Sequence, residues 1–375
     1  MQPNITSIPI LQLASGDLLS IQLYRFYGKQ SGAKVYLQAN LHGAEIVGNA
    51  VIYELLDWLT HLEPDQLKGE IWLVPVCNPL GTNQRSHYFS SGRFNPYDGK
   101  DWNRIFWDYE KDAEDLLGFA QAHLNVEIKT IQDSYRKRIQ AQFEKLADKL
   151  RSPVGAPLSE HYRFHLQSLC LDADYLIDLH STSNQGLDYL YYFAGREESA
   201  KLFGLDYGIL LDRYDGDAFD EAFIKPWLAL EQCFAKLGRT LRFDREAWTL
   251  ELGYGMQMKP ASVKKGIVGI QNYLIQKGLV QGVALPPAIS KPQMYLASTS
   301  KLQKYYSPFG GMVCPQVSLG DSIQQGQVLY QLLSFNKQLL LPPTQIEVVA
   351  QQNGIVYDLA SNQAVNMGEY VLATF

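Results

Sequence analysis

Apolar residues in this chain gather into short runs rich in β-forming side chains, at 34–41, 70–77, 174–179, 188–194 and 247–252. Helix-like spacing fills several of the gaps, beginning with 46–59. Strands that alternate with helices predict an α/β domain. The segment 112–151 is highly charged, yet Ile128, Ile131, Tyr135, Ile139, Phe143, Leu146 and Leu150 recur every three or four positions along it. That spacing predicts one long amphipathic helix inserted into the domain. Packing of its apolar stripe on the parent domain is favoured over a contact between copies, which would make a homo-oligomer.

After Gln281 the texture changes. Pro286, Pro287 and Pro292 precede short, Gln-rich β-type runs punctuated by Gly310, Gly311, Gly320, Gly326, Gly354 and Gly368. A boundary near residue 285 is expected, with an α/β domain over 1–284 and an all-β domain over 285–375. Two phrases in this tail echo each other, VSLGDSIQQGQVLYQLL and ASNQAVNMGEYVLATF. The tail resembles a lipoyl or biotinyl barrel-sandwich module built from two halves. Such carriers need a lysine at a hairpin tip, and Lys337 lacks that context, so a structural or lid domain is expected.

With 375 residues, 46% of them hydrophobic, the chain can bury a sizeable core. Its net charge of −6, without a long basic run, argues against nucleic acid as a partner. Neither a leader sequence nor a membrane span is expected. Cys77, Cys170, Cys233 and Cys314 lie far apart without CxxC spacing, which fits free thiols in a reducing cytoplasm.

The candidate chemistry begins at HGAE, where the first apolar run gives way to the first helix. His42 and Glu45, three apart at a strand end and its turn, can aim an imidazole nitrogen and a carboxylate oxygen at one point. His180, in DLHSTS directly after another strand-like run, is the candidate third ligand. Two histidines and one glutamate leave a tetrahedral zinc one open position, the arrangement of hydrolytic zinc. The alternative is that His42 caps the helix and His180 fills the core. A polar segment from Asn78 to Arg104, dense in turn formers, arginines and amides, reads as an ordered functional loop. Within it Arg93 and Arg104, helped by the Asn103 amide, could clamp a carboxylate.

HGAE, NPLG, GRFNPYDGKDWNR, DLHSTS and TLELG, in that order, resemble the succinylglutamate desuccinylase and aspartoacylase family of the zinc carboxypeptidase superfamily. The resemblance implies a mixed-sheet α/β catalytic domain with helices on both faces, followed by a smaller β domain. It implies that His42, Glu45 and His180 bind one zinc ion per chain, with Asp101 orienting His42. By the same comparison Asn103 and Arg104 hold the substrate carboxylate, Arg93 stabilises the oxyanion, and Glu251 is the general base. Arg85 could take the oxyanion role from Arg93, and Arg242 and Arg245 are further substrate-side candidates. A glutamate between Leu250 and Leu252 is costly to bury charged without a partner, which suits a base beside an ion-activated water; the alternative is a pairing of Glu251 with Arg242 or Arg245. Trp102 stands where the family usually has leucine. The expected activity is deacylation of a small N-acyl amino acid or a related carboxylate-bearing amide. Its rivals are a metallocarboxypeptidase acting on peptide C-termini and a non-catalytic zinc-containing binding protein.

Overall fold

The computed structural model describes residues 1–112, 115–152, 154–287, 293–335 and 342–375. The larger part of the chain lays down strands β1 (Asn4–Gln12), β2 (Leu18–Tyr27), β3 (Gln30–Ala39), β4 (Lys68–Val74), β5 (Tyr175–Thr182), β6 (Gln185–Gly186), β7 (Tyr189–Tyr192), β8 (Tyr207–Leu210), β9 (Glu246–Tyr254) and β10 (Tyr295–Ser298). All but β6 join one mixed sheet, in the order β1-β2-β4-β3-β5-β9-β7-β8-β10. The four central strands, β4-β3-β5-β9, run parallel. Burial on both faces is why β3, β5 and β9 read as near-continuous apolar runs. In the edge hairpin β1–β2 the buried Ile10, Ile21, Leu23 and Phe26 are interrupted by exposed or half-buried positions, so its apolar signal is weak.

Nine helices are described: α1 (Val47–Thr60), α2 (Pro79–Asn83), α3 (Tyr109–Asp112), α4 (Leu116–Ala122), α5 (Ile128–Arg151), α6 (Leu158–Cys170), α7 (Glu197–Lys201), α8 (Phe219–Lys236) and α9 (Pro260–Gln276). They cover both faces of the sheet. Val35, Leu37, Ile177 and Leu179 pack with α1 and α9 residues, whereas the alternating Tyr36 and Leu176 pack with α6 and α8 residues. On α1 the stripe Val47, Val51, Ile52, Leu55 and Leu59 is buried, each large side chain contributing about 1.5–3 kcal/mol. Gly48 lets this helix lie close, since a Cβ there would sit 2.7 Å from the Cβ atoms of Ala39 and Leu179.

The long helix expected over 112–151 starts only at Ile128. Asp115 adopts φ 45° and caps α4 by accepting from the Gly118 amide, so the helix restarts there. The carbonyls of His123, Leu124 and Val126 are then gathered by one guanidinium nitrogen of Arg239, which holds the chain in a turn before α5. The apolar stripe of α5 faces its own domain: Tyr135 meets Trp227 edge-on and donates to the Pro226 carbonyl.

The tail forms two sheets from β11 (Gln303–Tyr306), β12 (Gly311–Pro315), β13 (Ser322–Ile323), β14 (Val328–Ser334), β15 (Thr344–Val349), β16 (Gly354–Leu359), β17 (Ala364–Val365) and β18 (Tyr370–Thr374). One sheet has the order β11-β18-β16-β13 and the other β15-β14-β12-β17, around a core that includes Val313, Leu329, Leu332, Val356 and Leu372. Strand β6 leaves the first domain to pair with β16, which ties the tail to the loop just beyond His180. Lys337 and Pro292 lie outside the described residues.

Candidate active site

The carboxyl ends of β3, β5 and β9 open together, the place where α/β sheets offer a crevice. At the end of β3, Asn40 takes φ 70°, and its amide donates to the carbonyls of His42 and Gly43. Its Oδ1 accepts from the Thr82 hydroxyl at 2.6 Å. These bonds curl HGAE into a tight turn. Gly43 is needed there, because a Cβ would lie 2.1 Å from the Gly81 carbonyl carbon. The Gly92 carbonyl accepts from the Gly43 amide, which brings the neighbouring Arg93 to the same place.

His42, Glu45 and His180 converge, with donor atoms all within 4.8 Å of one another. Nδ1 of His42 and Nδ1 of His180 each lie 2.9 Å from a different oxygen of Glu45. Each Nε2 is held by an aspartate at 3.0 Å, Asp101 for His42 and Asp178 for His180. Both rings are therefore fixed with Nδ1 turned inward, and all three donor residues are 3% exposed. Burial pulls the two imidazoles down, but Glu45 with Asp101, and Asp178 with Glu45, outweigh it and hold both above the ordinary histidine value. Burial likewise pushes Glu45 up, and the two imidazoles reverse it to well below the usual carboxylate range. Two inward imidazole nitrogens and two carboxylate oxygens, each ring backed by a carboxylate, fit a divalent ion such as zinc.

Asp101 joins three parts of the site. Its Oδ1 accepts from His42 and from the Asn103 amide, at 3.0 and 2.8 Å, while Oδ2 meets Arg93 Nε at 2.9 Å. Arg93 also reaches to 3.6 Å from Glu45. Arg85 is elsewhere, bonded to the carbonyls of Thr82 and Gln84 and facing a separate hollow. Asn103 and Arg104 line the main cavity. Arg242 and Arg245 do not reach it: they pair with Glu246 and Asp174 at the far end of the sheet. Trp102 is buried edge-on to Tyr162.

Glu251 sits on β9 in register with His180 on β5. Its Oε2 is buried without a hydrogen-bond partner. Burial, then the nearby Glu45, push the carboxyl up to about 7, while His180, Arg93 and His42 oppose the rise. A carboxyl raised by burial in this way holds its proton more readily than a solvated one. The cavity that joins these groups has a volume of about 830 Å³, the size of a small-molecule site.

Several residues that build the site were not read from the sequence. Asp178 could have been, since residues two apart on a strand share a face and Asp178 precedes His180 by two. Thr249 stands two before Glu251 by the same rule. Tyr189 and Tyr191 from β7, and Asp220 and Glu221 from α8, also face the cavity. The tail supplies Lys304, Tyr306, Tyr357, Asp358 and Tyr370. Asp358 accepts from Thr182 and Asn184 at 2.9 and 3.1 Å, and so fastens the tail to the end of β5.

A profile of the succinylglutamate desuccinylase/aspartoacylase catalytic domain matches residues 31–276. The N-alpha-acetyl-L-2,4-diaminobutyric acid deacetylase of Halomonas elongata is 24% identical over 352 residues, which span 91% of this chain and 81% of that protein. A succinylglutamate desuccinylase/aspartoacylase family protein of Shewanella amazonensis has the same fold with a TM-score of 0.86 and 30% identity, over 99% of this chain and 98% of the other. A protein of Shewanella frigidimarina described in the same terms gives 0.88 and 26% identity, over 100% of this chain and 97% of the other.

Proposed function

The chain belongs to the succinylglutamate desuccinylase/aspartoacylase family and is a hydrolytic enzyme acting on amides, and from that premise we propose that it is a zinc-dependent deacylase of small N-acyl amino acids. The observation that carries this reading is the pair of inward Nδ1 atoms on Glu45 beside the unpartnered Glu251 carboxylate. Zinc held by His42, Glu45 and His180 would supply Lewis acidity toward the scissile carbonyl and make water more acidic there.

The chain's own groups do the rest. Glu251 takes a proton from the attacking water at Oε2 and delivers it to the leaving nitrogen. Arg93, fixed by Asp101, presents its guanidinium to the oxygen that gains charge at the tetrahedral stage. Asn103 Oδ1 is engaged by the Phe219 amide, which leaves its NH2 group for the substrate carboxylate, beside the Arg104 guanidinium that the Asn103 carbonyl holds through Nη1. A tail that lines the cavity supports a small substrate over a peptide. Four unpaired cysteines suit a reducing cytoplasm, and among the described residues no helix is long and apolar enough to cross a membrane.

Metal analysis of the purified protein, with hydrolysis of N-acyl amino acids and of short peptides before and after chelation, tests the proposal. Zinc near one per chain is expected, with amine release lost on chelation and restored by zinc. Turnover of peptides alone would assign a carboxypeptidase instead. Hydrolysis of nothing, with ligand binding unchanged in Glu251→Gln, would assign a binding protein.

A further inference from the structure

Resting on the deacylase reading, we propose that the first turn of α8 forms a cation subsite, so that the amino acid released carries an ammonium or guanidinium on its side chain. Asp220 and Glu221 are 4% and 9% exposed and both line the cavity that holds Glu251. Asp220 accepts from the Thr249 hydroxyl at 2.7 Å, and Glu221 from the Gly216 amide at 2.9 Å. Among the described residues neither forms an ion pair with lysine or arginine.

Acidic residues at a helix start are ordinarily accounted for by the helix dipole, but those are solvated and need no countercharge. Two adjacent carboxylates buried in a cavity wall do need one. Burial, followed by the charge of Asp220, pushes Glu221 up to about 7, and the Arg104 guanidinium only partly opposes the rise. A separate observation points to a polar ligand in the same cavity. Ser181, 1% exposed, lines it with a hydroxyl that has no hydrogen-bond partner.

The charge on the wall points to the same class of substrate. Asp358 is a third lining carboxylate held only by neutral donors, from Thr182, Asn184 and Tyr370. With Glu45 and Glu251 that makes five formal negative charges, against three positive ones from Arg93, Arg104 and Lys304. Arg93 is already paired with Asp101, so a divalent ion would offset only part of this acidic excess. An N-acyl amino acid with one carboxylate for the Asn103–Arg104 clamp and one side-chain cation suits such a wall, whereas an acylaspartate brings it a second carboxylate. The geometry fits both ends of such a substrate. Asn103 Oδ1 accepts from the Phe219 amide at 2.8 Å, so the carboxylate clamp and the acidic turn are joined into one wall.

The test compares kcat/KM of the zinc-loaded full chain on Nα-acetyl-2,4-diaminobutyrate, Nα-acetylornithine, the neutral N-acetylnorvaline and N-acetylaspartate. A preference above tenfold for the cationic amides over the neutral one is expected, with N-acetylaspartate the slowest. In Glu221→Gln and Asp220→Asn the ratio of cationic to neutral substrate should fall at least fivefold. Equal rates on neutral and cationic amides, or an unchanged ratio in both variants, would overturn the subsite. Calorimetric titration of the wild type with free ornithine, norvaline and aspartate reads the same preference without turnover. If no amide were cleaved, the deacylase reading would fall, and tighter binding of ornithine or its absence would still decide the subsite.

Discussion

His180 and Glu251 stand side by side in register on the parallel strands β5 and β9, which places a candidate metal donor and an unpartnered carboxylate at the same end of the sheet. Sheet hydrogen bonds, not a mobile loop, fix their spacing, so removing the charge of Glu251 should leave the rest of the site in place. Glu251→Gln is expected to lower kcat by about 10²- to 10⁴-fold while zinc content and thermal stability stay within error of the wild type. A loss below tenfold, measured with saturating substrate, would remove Glu251 from the proton transfers.

Asp178 makes a second prediction. It is fully buried, accepts from Gln38 at 3.1 Å, and binds Nε2 of His180 at 3.0 Å. It thereby fixes which ring nitrogen faces Glu45. Asp178→Asn keeps the shape but loses the charge that makes the imidazole a better donor. Zinc affinity, measured by competition with a chelator, should fall about 10- to 100-fold, and an unchanged affinity would reduce Asp178 to a packing role.

The contrast between Asp178 and Asp358 shows where the sequence was legible. Apolar runs marked the central strands because parallel strands are buried on both faces, and the polar residues that end those runs, His42, His180 and Glu251, mark the crevice. Asp178 is encoded by the same local rule, two positions from a ligand on one strand. Asp358 is not, because it reaches the site only through the pairing of β16 with β6, a contact between residues about 170 apart that no local period reports. Asp220 and Glu221 carry no local mark of the site either, since acidic residues are common at helix starts and only the fold places the start of α8 in the cavity wall. The charged stretch before Ile128 misled for a related reason: the bonds from Arg239 that turn it come from a distant helix end.

Gly43 carries a prediction about how the HGAE turn is held. A methyl group there would meet the Gly81 backbone at 2.1 Å, and backbone cannot rotate aside as a side chain can. Gly43→Ala should cost about 1–3 kcal/mol in chemical denaturation and weaken zinc binding as well, because His42 and Glu45 flank the shifted residue. Full stability with normal metal binding would show that α2 can withdraw without disturbing the turn.

Glu221 also makes the stability of the metal-free chain depend on pH. Burial, then Asp220, raise its carboxyl from the ordinary 4.5 to about 7. The folded state therefore binds the proton more tightly than the unfolded state does. The resulting stabilisation is complete below about pH 4.5 and is lost as pH rises through about 7. Carboxylates held low by their neighbours, such as Glu45 and Asp101, have made their contribution by pH 5 and do not compete in this window. The two imidazoles titrate with the same sign as Glu221, but they are common to wild type and variant. Subtracting denaturation curves of Glu221→Gln from those of the wild type at pH 5 and pH 8 therefore isolates Glu221 together with its coupling to Asp220. The variant should gain stability relative to the wild type on going to pH 8, by no more than about 3 kcal/mol. A difference that is flat across the window would mean that the Glu221 carboxyl titrates as it does in the unfolded chain.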